Sequence, residues 1–130
     1  MIAPIITKPS NIFLTRNHQA KLLDFGIAIH RDNSGAKKKA RLGSPCYMPP
    51  EQILGEPLDG RSDLYALGIT VYEMVVGAAP WVLDPITHKP DFDLPPDALY
   101  KAILNPDFAV YLPERLAAAT CDLIHALLAW

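Results

Sequence analysis

The chain has 130 residues, 50% of them hydrophobic and 20% charged, with a formal net charge of −2. That balance describes one ordinary globular domain with enough apolar material for a core. A slightly acidic chain suits nucleic acid poorly, so no nucleic-acid partner is expected.

In chain order, Lys8-Pro9-Ser10-Asn11 precedes two short apolar runs, Ile12-Phe13-Leu14 and Lys21-Leu22-Leu23, with Asn17 between them as a turn former. The pattern predicts a small β-hairpin. It sets Asn11 at the start of one strand and Asp24 at the end of the other, on a shared edge. Asp24 leads into Phe25-Gly26, where glycine opens backbone angles closed to other residues. An aspartate before a glycine is often just a turn. Beside an amide oxygen and the Lys8 ammonium, however, its carboxylate completes the groups that suit a magnesium-bound polyphosphate.

From Ile29 to Leu42 the chain turns polar and ends in the basic run Lys37-Lys38-Lys39-Ala40-Arg41. A loop of this length calls for a functional or a disorder explanation. The basic run is either a solvated face or a dock for an acidic or phosphorylated segment. Pro49-Pro50 should open a short helix through Ile53-Leu54, stopped at Gly55. After Pro57 and Gly60, Arg61-Ser62-Asp63 begins the longest helix, with Ser62 or Asp63 as its N-cap. From Leu64 to Val76 this helix is apolar on nearly every side, which places it at the centre of the domain. Gly77 ends it.

Ala78 to Pro96 is rich in proline and reads as an irregular loop carrying Trp81 into an apolar surface. Asp97 should cap a helix from Ala98 to Leu104, closed by Asn105-Pro106. A last helix is expected from about Pro113-Glu114, with Leu116, Leu123, Ile124, Leu127 and Leu128 toward the core. It reaches Trp130 without a stop signal, as a cut end would. Leu64 to Trp81 is the longest apolar stretch. Gly68, Glu73 and Gly77 interrupt it, so it suits a buried helix and no membrane segment is expected. The opening residues lack the basic region of a signal peptide. Cys46 and Cys121 lie far apart and read as free thiols of a reducing, cytoplasmic compartment. The four histidines (His18, His30, His88 and His125) share no zinc-ligand spacing.

Together these stretches resemble the larger, mostly helical lobe of a serine/threonine protein kinase. Lys8-Pro9-Ser10-Asn11 looks like the second half of the catalytic-loop motif and Asp24-Phe25-Gly26 like the magnesium motif. Pro49-Pro50-Glu51 is similar to Ala-Pro-Glu with its alanine replaced. Asp63-Leu64-Tyr65-Ala66-Leu67-Gly68 resembles the start of the lobe's central helix. The resemblance implies a mainly α fold, a C-terminal lobe with a small β-hairpin near the N-terminus and no small lobe. Residues 8–130 would be a partial kinase domain and 1–7 a segment that does not match.

The resemblance also implies roles. Asp24 would bind the Mg²⁺ that bridges the phosphates of ATP, and Asn11 a second magnesium. Lys8 would neutralise charge on the phosphoryl group in flight, and Ser44 would be the hydroxyl beside the catalytic loop. Phe25 and Gly26 would shape the magnesium motif. Asp63 would hold the catalytic-loop backbone, a role compatible with a plain N-cap. Glu51 would pair with an arginine beyond Trp130. Between Gly26 and Gly43 the sole hydroxyl is Ser34, the internal candidate for phosphorylation, although an unregulated loop is the simpler reading.

The pattern then departs from the family. Pro4, Ile5 and Ile6 occupy the His-Arg-Asp positions, so Ile6 stands where the catalytic base belongs. Loss of a positioned base costs about 10²–10⁴-fold. No Gly-rich loop and no strand lysine with its glutamate is present. The intact form is therefore expected to transfer the ATP γ-phosphate to protein Ser/Thr, while this chain alone is expected to be inactive and to bind Mg·ATP weakly or not at all. The alternative is a pseudokinase-type remnant that binds a protein partner through the exposed lobe surface. An unrelated helical domain with accidental motifs is the third reading.

Overall fold

A hairpin close to the N-terminus and a helical body built on one long central helix account for most of the structure. In a computed structural model, residues 2–3, 8–23, 29–30 and 45–129 are described, with 2–3 and 29–30 described by their backbone alone. Strand β1 (Ile2–Ala3) pairs antiparallel with β4 (Ile29–His30), setting Ala3 opposite Ile29. Strand β2 (Ile12–Leu14) pairs antiparallel with β3 (Ala20–Leu22), setting Ile12 opposite Leu22. The predicted hairpin is present, but its second strand starts at Ala20 and not Lys21. Thr15 sets that start: its N–H donates to the Gln19 carbonyl (2.9 Å) and its Oγ1 accepts from Gln19 N–H (3.0 Å). The turn closes at Gln19, and His18, not Asn17, takes the left-handed backbone (φ 60°).

Helix α1 (Pro50–Leu54) begins with proline in its first turn, where no backbone donor is needed. It stops at Gly55 as expected, in a left-handed conformation (φ 73°) that favours glycine. Helix α2 (Gly60–Val76) likewise stops at Gly77 (φ 106°). Its start differs from the expectation. Asp59, not Ser62 or Asp63, is the N-cap, accepting from Arg61 N–H at 2.8 Å. Ser62 and Asp63 lie inside the first turn.

The central helix is not apolar-buried all round: Leu64 is 51% and Met74 72% exposed. Its inner face instead combines Tyr65, Ala66, Ile69 and Tyr72 with the buried polar Ser62 and Thr70. Tyr65 and Ile69 join Ala78, Ala79, Trp81, Val82, Leu99 and Ile103 in one core cluster. The proline-rich segment delivers Trp81 there as predicted, in a short 3₁₀ turn (Pro80–Val82), against the Phe108 ring (centroids 4.9 Å).

Helix α3 spans Pro96–Ile103, with Pro95, not Asp97, at the N-cap and Asp97 within the first turn. Helix α4 (Ala118–Leu128) starts well after Pro113-Glu114. Those residues form a single turn, with Leu116 N–H on the Pro113 carbonyl at 3.0 Å. Ala117 then adopts an extended backbone (ψ 145°) and breaks the run. Ile124 of α4 is fully buried, whereas Leu123, assigned to the same face, is 49% exposed. α4 lies close against α2 at Gly68. Cys46 and Cys121 are both free thiols. Among the described residues no helix is long and apolar enough to cross a membrane.

Candidate functional site

Lys8 precedes a proline and adopts the extended backbone that this forces (φ −135°, ψ 156°). Pro9–Asn11 then make one 3₁₀ turn, closed by Asn11 N–H on the Lys8 carbonyl at 2.9 Å. The turn feeds straight into β2. The Asn11 carbonyl accepts from Leu23 N–H at 2.7 Å, extending the β2–β3 ladder by one rung. Asn11 is therefore held beside the residue that immediately precedes Asp24. Lys8, Pro9 and Asn11 are half-buried, which limits how far the turn can drift. Asp24, Phe25, Gly26, Ser34 and Ser44 lie outside the described residues, as do Ile6 and the polar stretch 31–44.

The described chain brackets that gap from both sides. The Ala3–Ile29 pair closes one side and the Asn11–Leu23 rung the other.

Glu51 sits in the first turn of α1 and Asp63 in the first turn of α2. Ser62 joins the two helix starts: its Oγ donates to Glu51 Oε1 at 2.6 Å. Ser62 is 2% exposed, so this carboxylate is what satisfies its hydroxyl. The second oxygen, Glu51 Oε2, is buried and has no hydrogen-bond partner among the described residues. A buried carboxylate oxygen of this kind is a natural acceptor for a cation. Asp63 follows Ser62 directly and is half-buried.

A second polar cluster was not foreseen from sequence. Pro45–Tyr47 forms a 3₁₀ turn directly after Ser44, and two bonds fasten it. Tyr47 Oη donates to Glu73 Oε2 of α2, and Trp81 Nε1–H donates to the Cys46 carbonyl at 3.1 Å. Burial pushes the Tyr47 phenol well above its ordinary range, and the Glu73 carboxylate pushes it further. Burial first and then Glu73 also raise the Cys46 thiol. Both groups are thereby held in their neutral forms. The sole sequence signal was Glu73 itself, a lone carboxylate inside an apolar helix.

Among the described residues, no group of three or more His, Cys, Asp or Glu comes together to hold a metal ion. Of the two residues that the sequence reading assigns to magnesium, Asn11 lies in the described 3₁₀ turn and Asp24 falls outside the described residues.

Comparison with known proteins fits this arrangement. The model of the protein kinase domain matches residues 7–130. The chain is 45% identical over 80 residues to the probable serine/threonine-protein kinase SCO3848 of Streptomyces coelicolor, covering 59% of this chain and 12% of that protein. It is 35% identical over 118 residues to serine/threonine-protein kinase PknB of Mycolicibacterium smegmatis, covering 85% of this chain and 19% of that one. It is 39% identical over 107 residues to serine/threonine-protein kinase Pkn1 of Myxococcus xanthus, covering 74% and 15% respectively. The chain thus spans less than a fifth of the length of these relatives. With the family model matching residues 7–130 and 35% identity to PknB over 85% of this chain's length, the chain belongs to the serine/threonine protein kinase family.

Proposed function

We propose that this chain carries the helical-lobe part of a serine/threonine kinase's phosphoryl-transfer site and does not catalyse transfer by itself. The observation that carries the reading is the 2.7 Å bond from Leu23 N–H to the Asn11 carbonyl. It ties the Lys8–Asn11 turn to the strand that leads into Asp24-Phe25-Gly26. Residues 8–130 are the partial kinase domain, and 1–7 is the segment outside the motif. The lobe is the C-terminal one.

In this reading the Asn11 and Asp24 oxygens hold magnesium against ATP. The donor set fits, because an amide and a carboxylate oxygen are hard ligands of the kind Mg²⁺ takes alongside phosphate. When bound, the metal supplies charge neutralisation on the nucleotide phosphates. Lys8 brings a positive charge to the transferred group, and Ser44 contacts the catalytic loop. Phe25 and Gly26 set the course of the backbone after Asp24. Glu51 and Asp63 support the site from below, through Ser62 and the catalytic-loop backbone. If phosphorylation regulates the intact protein, Ser34 is the internal candidate between Gly26 and Gly43. In the intact protein the acceptor is a protein Ser or Thr hydroxyl.

Ile6 can neither take a proton nor orient a hydroxyl, and this supports inactivity of the chain alone. Incubation with Mg·ATP and dephosphorylated casein should give no transfer above background, and Mg·ATP should bind weakly or not at all. Turnover that disappears on Asp24→Ala would overturn the proposal. The two free thiols support a reducing, cytoplasmic setting.

The exposed hairpin favours a second reading, a pseudokinase-type protein-binding module. Phe13 is 57%, Leu14 71%, Leu22 44% and Leu23 45% exposed, and a two-stranded hairpin is only marginally stable alone. Clustered exposed apolar residues commonly mark an interaction surface. Monodisperse behaviour of the chain with a sharp thermal transition supports this reading; aggregation abolished by Leu14→Lys points back to the first.

A further inference from the structure

The far end of α2 borders a cleft that the kinase motifs do not use. From Asp63 to Val76 the helix rises about 20 Å, at about 1.5 Å per residue, so this end is remote from the Glu51–Ser62 junction. The cleft has a volume of about 560 Å³, lined by Val76 at the end of α2, by Ala78 just beyond it, and by Leu83 and Pro90 from the following loop. His88, Tyr111 and Arg115 supply its polar groups. Apolar walls with a few polar groups, in a space of about 300–1,000 Å³, are the ordinary make-up of a small-molecule site.

Both walls are fixed by hydrogen bonds. Tyr72 Oη of α2 donates to the Tyr111 carbonyl at 2.6 Å, holding the 111–115 segment against the helix. On the other side, Asp84 Oδ1 accepts from Ile86 N–H (2.9 Å) and Thr87 N–H (2.7 Å). Asp84 N–H donates to the Lys89 carbonyl at 2.9 Å, closing that loop on itself. His88 stands there in a left-handed backbone (φ 55°), a conformation uncommon outside glycine. Its ring lies flat on Tyr111 (3.6 Å between centroids, 7° between planes), so the two loops meet in a two-ring aromatic wall.

Charge then selects the occupant. Arg115 is the one formally charged side chain that lines the cleft among the described residues, and no carboxylate does. Its Nη2 donates to the Val75 carbonyl at 2.6 Å, which anchors the guanidinium at the helix C-terminus. A guanidinium has five N–H donors, so this bond leaves others for a ligand. A planar guanidinium matches a carboxylate in two-point fashion. We propose that this cleft binds a small organic carboxylate with a flat apolar body, its acid group on Arg115 and its body against Val76, Leu83 and the His88–Tyr111 wall.

The test is a two-dimensional ¹⁵N NMR titration of the 130-residue chain with 2-naphthoate and, separately, with the neutral 2-naphthylmethanol. Saturable shifts are expected at 76–78, 83–90 and 111–115, with the acid binding about fivefold more tightly than the alcohol. That preference should shrink as NaCl rises, disappear in Arg115→Met and persist in Arg115→Lys. Should Arg115→Met lose its dispersed spectrum, the salt dependence and Arg115→Lys decide between the outcomes. Absence of saturation, equal affinity for acid and alcohol, a salt-independent preference, or shifts centred on Phe13 and Leu22 would each overturn the proposal.

Discussion

Ser62 Oγ and Glu51 Oε1 lie 2.6 Å apart and couple the first turns of α1 and α2, eleven residues distant in sequence. The Ser62 hydroxyl is buried and its acceptor is a carboxylate, so Ser62→Ala should cost about 1.5–3 kcal/mol. The expected readout is a lower urea midpoint with an unchanged slope. Glu51→Gln tests the other half. It keeps a carbonyl acceptor for Ser62 and removes a charge whose second oxygen is buried without a hydrogen-bond partner among the described residues. Its cost should therefore be smaller than that of Ser62→Ala, or of opposite sign.

Two glycines of α2 should respond in opposite directions to the same substitution. A Cβ at Gly68 would come within 2.8 Å of Leu127 Cβ and of Leu128 Cδ2, and 3.3 Å from the Leu127 backbone carbon. Gly68→Ala therefore overpacks the α2–α4 contact and should cost about 1–3 kcal/mol. Gly60, at the helix start, has nothing within 4 Å of its would-be Cβ. Gly60→Ala should stabilise by about 0.4–1 kcal/mol through the unfolded chain. Thermal unfolding of the two variants beside the parent checks both signs.

Alkaline pH should unfold the chain through its buried tyrosines. Burial, and secondarily the neighbouring Tyr111, push the Tyr72 phenol from 10.0 up to about 12. Tyr47 and Tyr65 shift in the same direction, also chiefly by burial. A raised folded-state value means that the native protein keeps its proton after the unfolded chain has lost it. This stabilisation is fully present below about pH 10 and is lost as pH rises toward about 12. Each such phenol steepens the alkaline decline by up to about 1.4 kcal/mol per pH unit. Tyr72→Phe should flatten that limb by one proton's worth. At neutral pH it should cost about 1 kcal/mol, for the lost bond to the Tyr111 carbonyl. Urea midpoints between pH 7 and 11.5 separate the two effects.

Helix ends were more legible in the sequence than helix starts, for a physical reason. Gly55 and Gly77 stop their helices in left-handed conformations that few other residues accept, so a glycine after an apolar run is informative. A start can be made by many residues or by none. Asp59 before Gly60 looked like part of a connector, and α4 begins after Ala117 with no capping side chain. Pro113-Glu114 had the better composition for a start, yet it makes one turn only. Apolar composition on nearly every side placed Leu64 and Met74 inside, whereas both are exposed and the polar Ser62 and Thr70 are buried. The hairpin that positions Asn11 could be read because its signals are local. The Glu51–Ser62 and Tyr47–Glu73 bonds could not, since each joins residues that meet only after the helices pack.

Positioning and ligation at Asn11 can be separated because they use different atoms of the same residue. Its backbone carbonyl makes the rung with Leu23 N–H, whereas its side-chain oxygen is the proposed metal ligand. Asn11→Ala keeps the carbonyl, so amide shifts of Ile12–Leu14 and Ala20–Leu22 should stay near those of the parent. Leu23→Pro removes the N–H donor and constrains Leu22, so it should collapse the same shifts. Titration with Mn²⁺, an oxygen-preferring stand-in for Mg²⁺, then reads ligation through paramagnetic broadening in the presence of ATP. Any broadening near Asn11 in the parent should weaken in both variants, with the hairpin intact in only the first. If Asn11→Ala broadens as the parent does, the side chain is not a ligand and the Lys8–Asn11 turn serves only to shape the strand leading to Asp24.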